Sequence, residues 1–159
     1  MLNKIYTKKG DGGNTKTFNG PMSKADQLAI TLGTIDELNS WLGICGQDKE
    51  LQRIQTNLMT INSVLAGAKA QRFRGTETTH LERLIDKLTK DLPELKNFIY
   101  PVGYLQVART ICRRAEREVV KLEIKEKNIL KYMNRLSDAL FVMARTKSKQ
   151  AGIAEVTWN

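Results

Sequence analysis

From Val107 to Val120 the chain reads Val-Ala-Arg-Thr-Ile-Cys-Arg-Arg-Ala-Glu-Arg-Glu-Val-Val, and Ala108, Ile111, Cys112, Ala115, Val119 and Leu122 recur at three- and four-residue spacing. That period puts one apolar stripe along an α-helix and cannot serve a strand, whose faces alternate every second residue. The same kind of pattern recurs along the chain. One helix is expected from about Lys24, after Pro21 and Ser23, to Cys45. A second runs from about Lys49 to Ala70 with Leu51, Ile54, Leu58, Ile61, Leu65 and Ala68 inward. A third, capped by Thr76 or Thr78, runs from Glu77 to Lys90 on Leu81, Leu84, Ile85 and Leu88. The arginine-bearing helix spans about Tyr104 to Lys125, and the last runs from Asn128 to Ala151 on Leu130, Met133, Ser137, Leu140 and Ala144. Long amphipathic helices on short links bury their stripes against one another, so the chain reads as an all-α antiparallel bundle of four main helices and a shorter one. The expected organisation is a single domain over 1–159, with an extended N-terminal loop over 1–22 and the bundle over 24–151.

Composition removes several classes. With 41% hydrophobic and 27% charged residues the chain is of the soluble globular kind. No apolar run approaches the roughly 18 residues of a membrane span. Met1-Leu-Asn-Lys-Ile-Tyr6 lacks a signal-peptide core, so a cytoplasmic location without a membrane partner is expected. Cys45 and Cys112 lack CxxC spacing and read as buried free thiols rather than a zinc site or disulfide framework. His80 has no catalytic partner nearby in sequence and reads as a surface residue. The net charge of +9 favours an acidic partner, but the basic segments lack the interleaved aromatics that stack nucleic-acid bases.

Arg109, Arg113 and Arg117 fall at i, i+4 and i+8, away from the apolar stripe. Like charges at that spacing cost a helix roughly 0.2–0.5 kcal/mol per pair, which an anion would offset. Guanidinium forks match phosphate and carboxylate in two parallel bonds. The row also reads as a solvated face with Glu116 and Glu118 in partial pairing, and the pattern alone leaves both open.

Thr7-Lys-Lys-Gly-Asp-Gly-Gly-Asn-Thr15 has the parts of a phosphate cradle: free backbone amides at glycines, the hydroxyls of Thr7 and Thr15, and the ammonium groups of Lys8 and Lys9. Lys24 could add a further charge. After a short β-prone start, Lys4-Ile-Tyr-Thr7, the glycines are expected to keep this stretch irregular. It is neither a Walker loop nor a dinucleotide fingerprint, and an ordinary turn would look the same. Gly33-Thr-Ile-Asp-Glu-Leu-Asn-Ser-Trp-Leu-Gly43 spends weak helix formers inside a helix, which suits close helix contacts and leaves Asp36 as a partner for a cation elsewhere. Asn134 and Asp138 share a face at i, i+4; ordinary polar facing would also explain both segments.

Together, Thr7-Lys-Lys-Gly-Asp-x-Gly-x-Thr15, Ser23-Lys24, Gly33-Thr-Ile-Asp-Glu-Leu-Asn-Ser-x-Leu-Gly43, Phe98-Ile-x-Pro101, Val107-Ala-Arg-x-x-x-Arg-Arg-Ala-Glu-Arg117 and Asn134-Arg-Leu-Ser-Asp138 resemble the PduO-type ATP:cob(I)alamin adenosyltransferases. The motifs stand in the family's order and span nearly the whole chain. The resemblance implies a homotrimer of helical bundles with active sites between subunits. It implies transfer of the 5′-deoxyadenosyl group from ATP to the cobalt of a reduced corrinoid, with release of triphosphate. It assigns the triphosphate to Thr7, Lys8, Lys9, Gly10, Asp11, Gly13, Thr15, Lys16 and Lys24, accompanied by Mg2+, and completes the ATP site with Arg113, Arg114, Glu116, Arg117 and Asn134. Asp36 would pair across the interface with Arg109, and Phe98 would pack at the cobalamin and exclude its lower axial base.

The chemistry suits such a chain. Co(I) is itself a strong nucleophile, so no serine, cysteine or histidine nucleophile and no protein-held metal are required. The protein must align C5′ with cobalt and stabilise the leaving triphosphate, in which Arg113 is expected to weigh most. One departure from the family pattern stands out. Between Phe98-Ile-x-Pro101 and Val107-Ala-Arg109 only Val102-Gly-Tyr-Leu-Gln106 intervenes, where the family has a longer stretch opening Pro-Gly-Gly and usually carrying a histidine. Normal MgATP affinity with slower transfer, above all from Co(II), is therefore expected. Besides the transferase, two readings stay open: a catalytically weak relative that carries or senses ATP or a corrinoid, and a basic helical nucleic-acid-binding module. The phosphate motifs argue against the last, so no nucleic-acid partner is expected. A cobalamin reductase or a cobalamin-dependent enzyme is the expected protein partner.

Overall fold

The structure, a computed structural model, describes residues 5–158. A hairpin of β1 (Asn14–Thr17) and β2 (Gly20–Ser23) precedes five helices: α1 (Gln27–Cys45), α2 (Lys49–Leu65), α3 (Thr76–Thr89), α4 (Tyr104–Lys121) and α5 (Lys127–Gln150). Helix α4 packs on α1 and α5, α1 on α2, and α3 on α5. Side-chain pairings make α1 antiparallel to α2 and to α4: Gln55 reaches the Asn39 carbonyl, Gln27 reaches Glu118, and Arg114 reaches Glu37. Because α4 intervenes in the chain, α3 and α5 run in the same sense, with Arg135 on Glu82 and Arg145 on the Pro93 carbonyl. No helix among the described residues is long and apolar enough to cross a membrane.

The expected stripes form the core. Ala108, Ile111, Cys112, Ala115 and Val119 of α4 are buried, as are Leu51, Ile54, Leu58 and Ile61 of α2 and Met133, Ser137, Leu140 and Ala144 of α5. The hydroxyl of the buried Tyr132 accepts from Asn57, which answers the desolvation of that phenol. Burial pushes the Cys112 thiol well above its ordinary range and raises Cys45 less, where the Lys147 charge opposes it. Both cysteines are free; Cys112 is fully buried, whereas Cys45 is only half-buried. His80 is half-buried too, with Nε2 at 2.7 Å from Glu50, so the surface assignment misses an α2–α3 contact made across 30 residues.

The structure corrects the N-terminal segment. The glycines do keep residues 10–13 irregular, but Thr15 and Thr17 are β-branched and pair with Met22 and Gly20 in a hairpin. Pro21, which has no amide to donate, is tolerated because a two-stranded ribbon consists of edges. Of the β-prone start, Lys4 lies outside the described residues and Ile5–Thr7 belong to no strand. Two helix ends also move inward for identifiable reasons. Helix α2 stops at Leu65 rather than Ala70 because Gly67, at φ +94°, closes a Schellman turn: the Ala68 amide donates to Ser63 O at 3.0 Å and the Gly67 amide to Val64 O at 3.0 Å. A Cβ at Gly67 would also meet the Asn19 side chain at the hairpin tip, which would have to swing aside. Helix α4 ends at Lys121 rather than Lys125, with Glu123 in the left-handed region at φ +49°.

Helix α3 is pinned to α2 by charge. Arg53 donates to both Glu77 oxygens at 2.9 and 3.0 Å, and Asn57 adds a third bond at 2.9 Å. The Arg53 hydrogen bonds, against an opposing desolvation, hold the Glu77 carboxyl below its ordinary value of 4.5. A carboxylate with a folded pKa below its unfolded one stabilises fully above the unfolded value and loses that contribution as pH falls through the folded one. Glu77→Gln should therefore lower the melting temperature at neutral pH, with the gap closing as the pH is taken below 4.5. A gap of constant size in acid would show that lost packing, not lost charge, is responsible.

Candidate active site

The N-terminal cradle is built by two departures from helix. Asp26, not Ser23, occupies the N-cap position of α1, and its carboxylate turns back rather than capping the helix: Ser23 N donates to Asp26 Oδ2 at 3.0 Å and Ala25 N to Ser23 Oγ at 3.1 Å. Lys24 is thereby held in the turn before the helix rather than in its first turn as expected. Its amide donates to Gly13 O at 2.9 Å and its Nζ to Gly10 O at 2.8 Å. The loop between closes through Gly13 N on Gly10 O at 3.3 Å and Asp11 N on Lys8 O at 3.4 Å. Lys8 is a non-glycine residue at φ +58°, a sparsely populated conformation that the loop's own turns maintain. Thr7, Lys8, Lys9, Asp11 and Lys16 are exposed, and Thr15 is half-buried.

Thr15, Lys16 and Lys24 rim an open groove of about 610 Å³ whose floor is Phe18, Met22, Ala29, Leu32 and Ala66. The hairpin forms this groove because the Phe18 amide donates to Ala66 O at the end of α2 at 3.1 Å. A cationic rim on an apolar floor can take a ligand with both an anionic and a flat apolar part. The sequence did not show this groove, which depends on where α2 stops.

The second group lies on α4 and α5. Arg113 and Arg117 are exposed, with no hydrogen bond or ion pair for either guanidinium among the described residues. Arg114 is committed to Glu37 of α1, and Asn134 donates to Glu116 at 3.1 Å. Two unpaired guanidinium groups one helical turn apart leave a positive field that suits a polyanion. No hydrogen bond or ion pair among the described residues joins Thr7–Lys24 to Arg113, Arg114, Glu116, Arg117 or Asn134. Their shared frame is the α1–α4 seam, where the Gln27 amide, three residues beyond Lys24, donates to Glu118 at 2.7 Å beside Arg117.

Asp36 and Arg109 do not meet within the chain. Asp36 is exposed, its carboxylate without a hydrogen bond or ion pair among the described residues, while its carbonyl accepts from Ser40 Oγ at 3.0 Å. Arg109 is half-buried, with Nε on Gln106 Oε1 at 2.7 Å and its guanidinium 5.8 Å from the Phe141 ring centroid. Burial and then the like charge of Arg113 push its pKa below the ordinary range.

Phe98 is 80% exposed, on a connector whose strand pairs with residues 156–158 around the bridge Ile99↔Thr157. The rings of Phe98 and Trp158 lie 6.5 Å apart. Sequence reasoning missed the segment after α5 altogether, along with Arg145, which reaches into it. A signal existed: Arg145 sits four residues past Phe141 on the inward face of an otherwise apolar run, Leu140-Phe-Val-Met-Ala144.

The helical bundle thus offers unpaired cations and an exposed aromatic among its described residues, groups that can bind and position a ligand. The family model for cobalamin adenosyltransferase matches residues 5–147. The chain belongs to the cobalamin adenosyltransferase family. It is 40% identical to the corrinoid adenosyltransferase of Bacillus subtilis over 178 residues, covering 98% of this chain and 92% of the relative. It is 38% identical over 179 residues to corrinoid adenosyltransferase MMAB of Homo sapiens, covering 96% and 72%. A phenylalanine-to-alanine variant of the PduO-type ATP:corrinoid adenosyltransferase from Lactobacillus reuteri, complexed with cobalamin and ATP, superposes with a TM-score of 0.88 at 34% identity, covering 98% of this chain and 99% of that one. The Bacillus match extends over 178 positions and this chain has 159 residues, so the relative carries at least 19 positions without a counterpart here.

Proposed function

We propose that this protein transfers the 5′-deoxyadenosyl group of ATP to a reduced corrinoid in sites shared between the subunits of a homotrimer. The observation that carries this is the near-full-length similarity to a transferase complexed with both cobalamin and ATP. In the reaction the Co(I) electron pair attacks C5′, the C5′–O bond breaks with its electrons on oxygen, and triphosphate leaves. The residues of the chain orient and stabilise. The Thr7–Lys24 loop and the groove beneath it take the nucleotide, and Arg113 and Arg117 meet the negative charge that grows on the leaving group. Asn134, aligned by Glu116, supplies a neutral donor beside them.

Among the described residues no cluster of three or more His, Cys, Asp or Glu could cage a metal. Asp11 and Thr15 of the loop are the oxygen donors that would hold a Mg2+ carried on the phosphates. When bound, Mg2+ neutralises charge on the triphosphate.

The reading extends to a single domain over 1–159, a cytoplasmic setting with neither membrane nor nucleic acid as partner, and a reductase or cobalamin-dependent enzyme as neighbour. The short Val102–Gln106 connector between Pro101 and Val107 supports slower transfer from Co(II). With less cover over the cobalt, water stays as a ligand and reduction is harder. The test is an anaerobic assay with MgATP and chemically reduced cobalamin, followed by the corrin absorption spectrum. Conversion to adenosylcobalamin at a rate above the protein-free blank is expected, with a lower rate when turnover starts from Co(II). An unchanged spectrum alongside tight MgATP binding would favour the carrier or regulator. Salt-dependent affinity for DNA or RNA without ATP binding would favour the nucleic-acid module.

A further inference from the structure

Arg145 is the only charged residue buried among the described residues, with a side chain just 4% exposed. A guanidinium stays charged out of water where its donors find acceptors, and here Nε and Nη2 are met by two separate segments. Nε and Nη2 donate to Glu155 Oε1 and Oε2 at 2.6 and 3.0 Å, and Nη2 also donates to Pro93 O at 2.7 Å. Both segments continue into one clasp. Just beyond Glu155, Val156 O accepts from Tyr100 N at 2.9 Å, and Trp158 N donates to Phe98 O at 2.8 Å. Five residues beyond Pro93 stands Phe98 itself. Arg145 therefore ties together the feet of the two strands that hold the Phe98 backbone. Its guanidinium lies 5.9 Å from the Phe141 ring centroid, and the same ring faces Arg109 at 5.8 Å.

Stability alone does not ask for a charge at this position. Leu136, Ala139, Leu140 and Met143 already seat α5 in the core, and an apolar side chain of similar volume often serves a buried site as well as an ion pair does. What the pair adds is direction. Residues 93–103 contain two prolines and no helix, and Glu155 stands one residue before the Val156 carbonyl that pairs beside the bridge at Ile99.

We propose that the buried Arg145–Glu155 pair is a positioning clamp that fixes the Phe98–Tyr100 strand against residues 153–158 and thereby sets where Phe98 stands. The consequence for corrinoid use rests on the transferase reading above; the clamp itself does not.

The test uses the full chain with Glu155→Ala and Glu155→Gln, the second keeping a neutral acceptor for the guanidinium. Amide hydrogen exchange should show the Tyr100 and Trp158 amides losing protection in Glu155→Ala while α4 and α5 keep theirs. The Michaelis constant for cob(I)alamin should rise roughly ten- to hundredfold, as displacement of a positioning group does. That for ATP should stay unchanged, and Glu155→Gln should fall between native and Glu155→Ala. A merely structural role would move both constants together or neither. If circular dichroism shows Glu155→Ala unfolded, Glu155→Gln carries both measurements. Amides that stay protected, or that open without raising the corrinoid constant selectively, overturn the proposal. A native protein that performs no transfer would refute the functional reading instead, and the exchange data would still decide whether the clamp exists.

Discussion

Arg113→Ala is expected to weaken MgATP binding roughly ten- to hundredfold, because losing one charged partner of a phosphate costs about 1.5–3 kcal/mol. The side chain has no hydrogen bond or ion pair of its own among the described residues, so its removal breaks nothing in the free protein. The helical fold should survive unchanged. Arg114 behaves differently: it is bound to Glu37 across the α1–α4 seam, so its alanine variant would lose a surface pair as well as a phosphate partner. Asn134→Ala should also weaken MgATP while freeing Glu116, its acceptor at 3.1 Å. Calorimetric titration with MgATP, together with circular dichroism, reads all three. Native affinity in both Arg113→Ala and Asn134→Ala would remove this face from the site.

The difference between what the sequence reveals and what it hides follows the range of the interactions. The apolar stripe of Ala108, Ile111, Cys112, Ala115 and Val119 is a local, repeated signal, and every member is buried in the structure. Helix ends were less legible because they depend on single residues against a background of good helix formers. Ala68 lies on the inward face of the expected α2, yet the left-handed Gly67 ends the helix before it. The hairpin was hidden by its glycine-rich approach, although Thr15 and Thr17 alternate as a strand requires. The cation rows were visible as charge patterns, whereas which cations stay unpaired was not. Arg113 and Arg114 are neighbours of one type, and only the packing of α1 on α4 commits Arg114 and leaves Arg113 free. Least legible was the clasp of residues 98–100 with 156–158, since its register depends on Arg145 and Glu155 rather than on any local periodicity.

In the proposed homotrimer, Asp36→Ala should reduce kcat/KM for adenosyl transfer by about a hundredfold or more and shift the protein toward monomer. The cause lies in a mismatch within the single chain. Arg109 is half-buried and has only the neutral Gln106 as a hydrogen-bond partner, and burial, followed by the like charge of neighbouring Arg113, disfavours its protonated form. Asp36 is an exposed carboxylate without a hydrogen bond or ion pair among the described residues, next to a Glu37 already paired with Arg114. Each group lacks what the other has, and they do not meet in one chain. In the proposed homotrimer, a second copy that brings its Asp36 to this Arg109 would satisfy both while sealing the interface. Removing one member of such a pair costs roughly 3–5 kcal/mol once the interface has closed over the survivor. The penalty is a buried, uncompensated guanidinium, which predicts a particular pattern in a double-mutant cycle. Arg109→Ala in the Asp36→Ala background should restore part of the lost assembly, because it removes the stranded charge, whereas two independent defects would add. Light scattering and steady-state kinetics on the native protein and the three variants supply the cycle. A native protein that is a monodisperse monomer, or single variants whose losses simply sum, would show that Asp36 and Arg109 never meet.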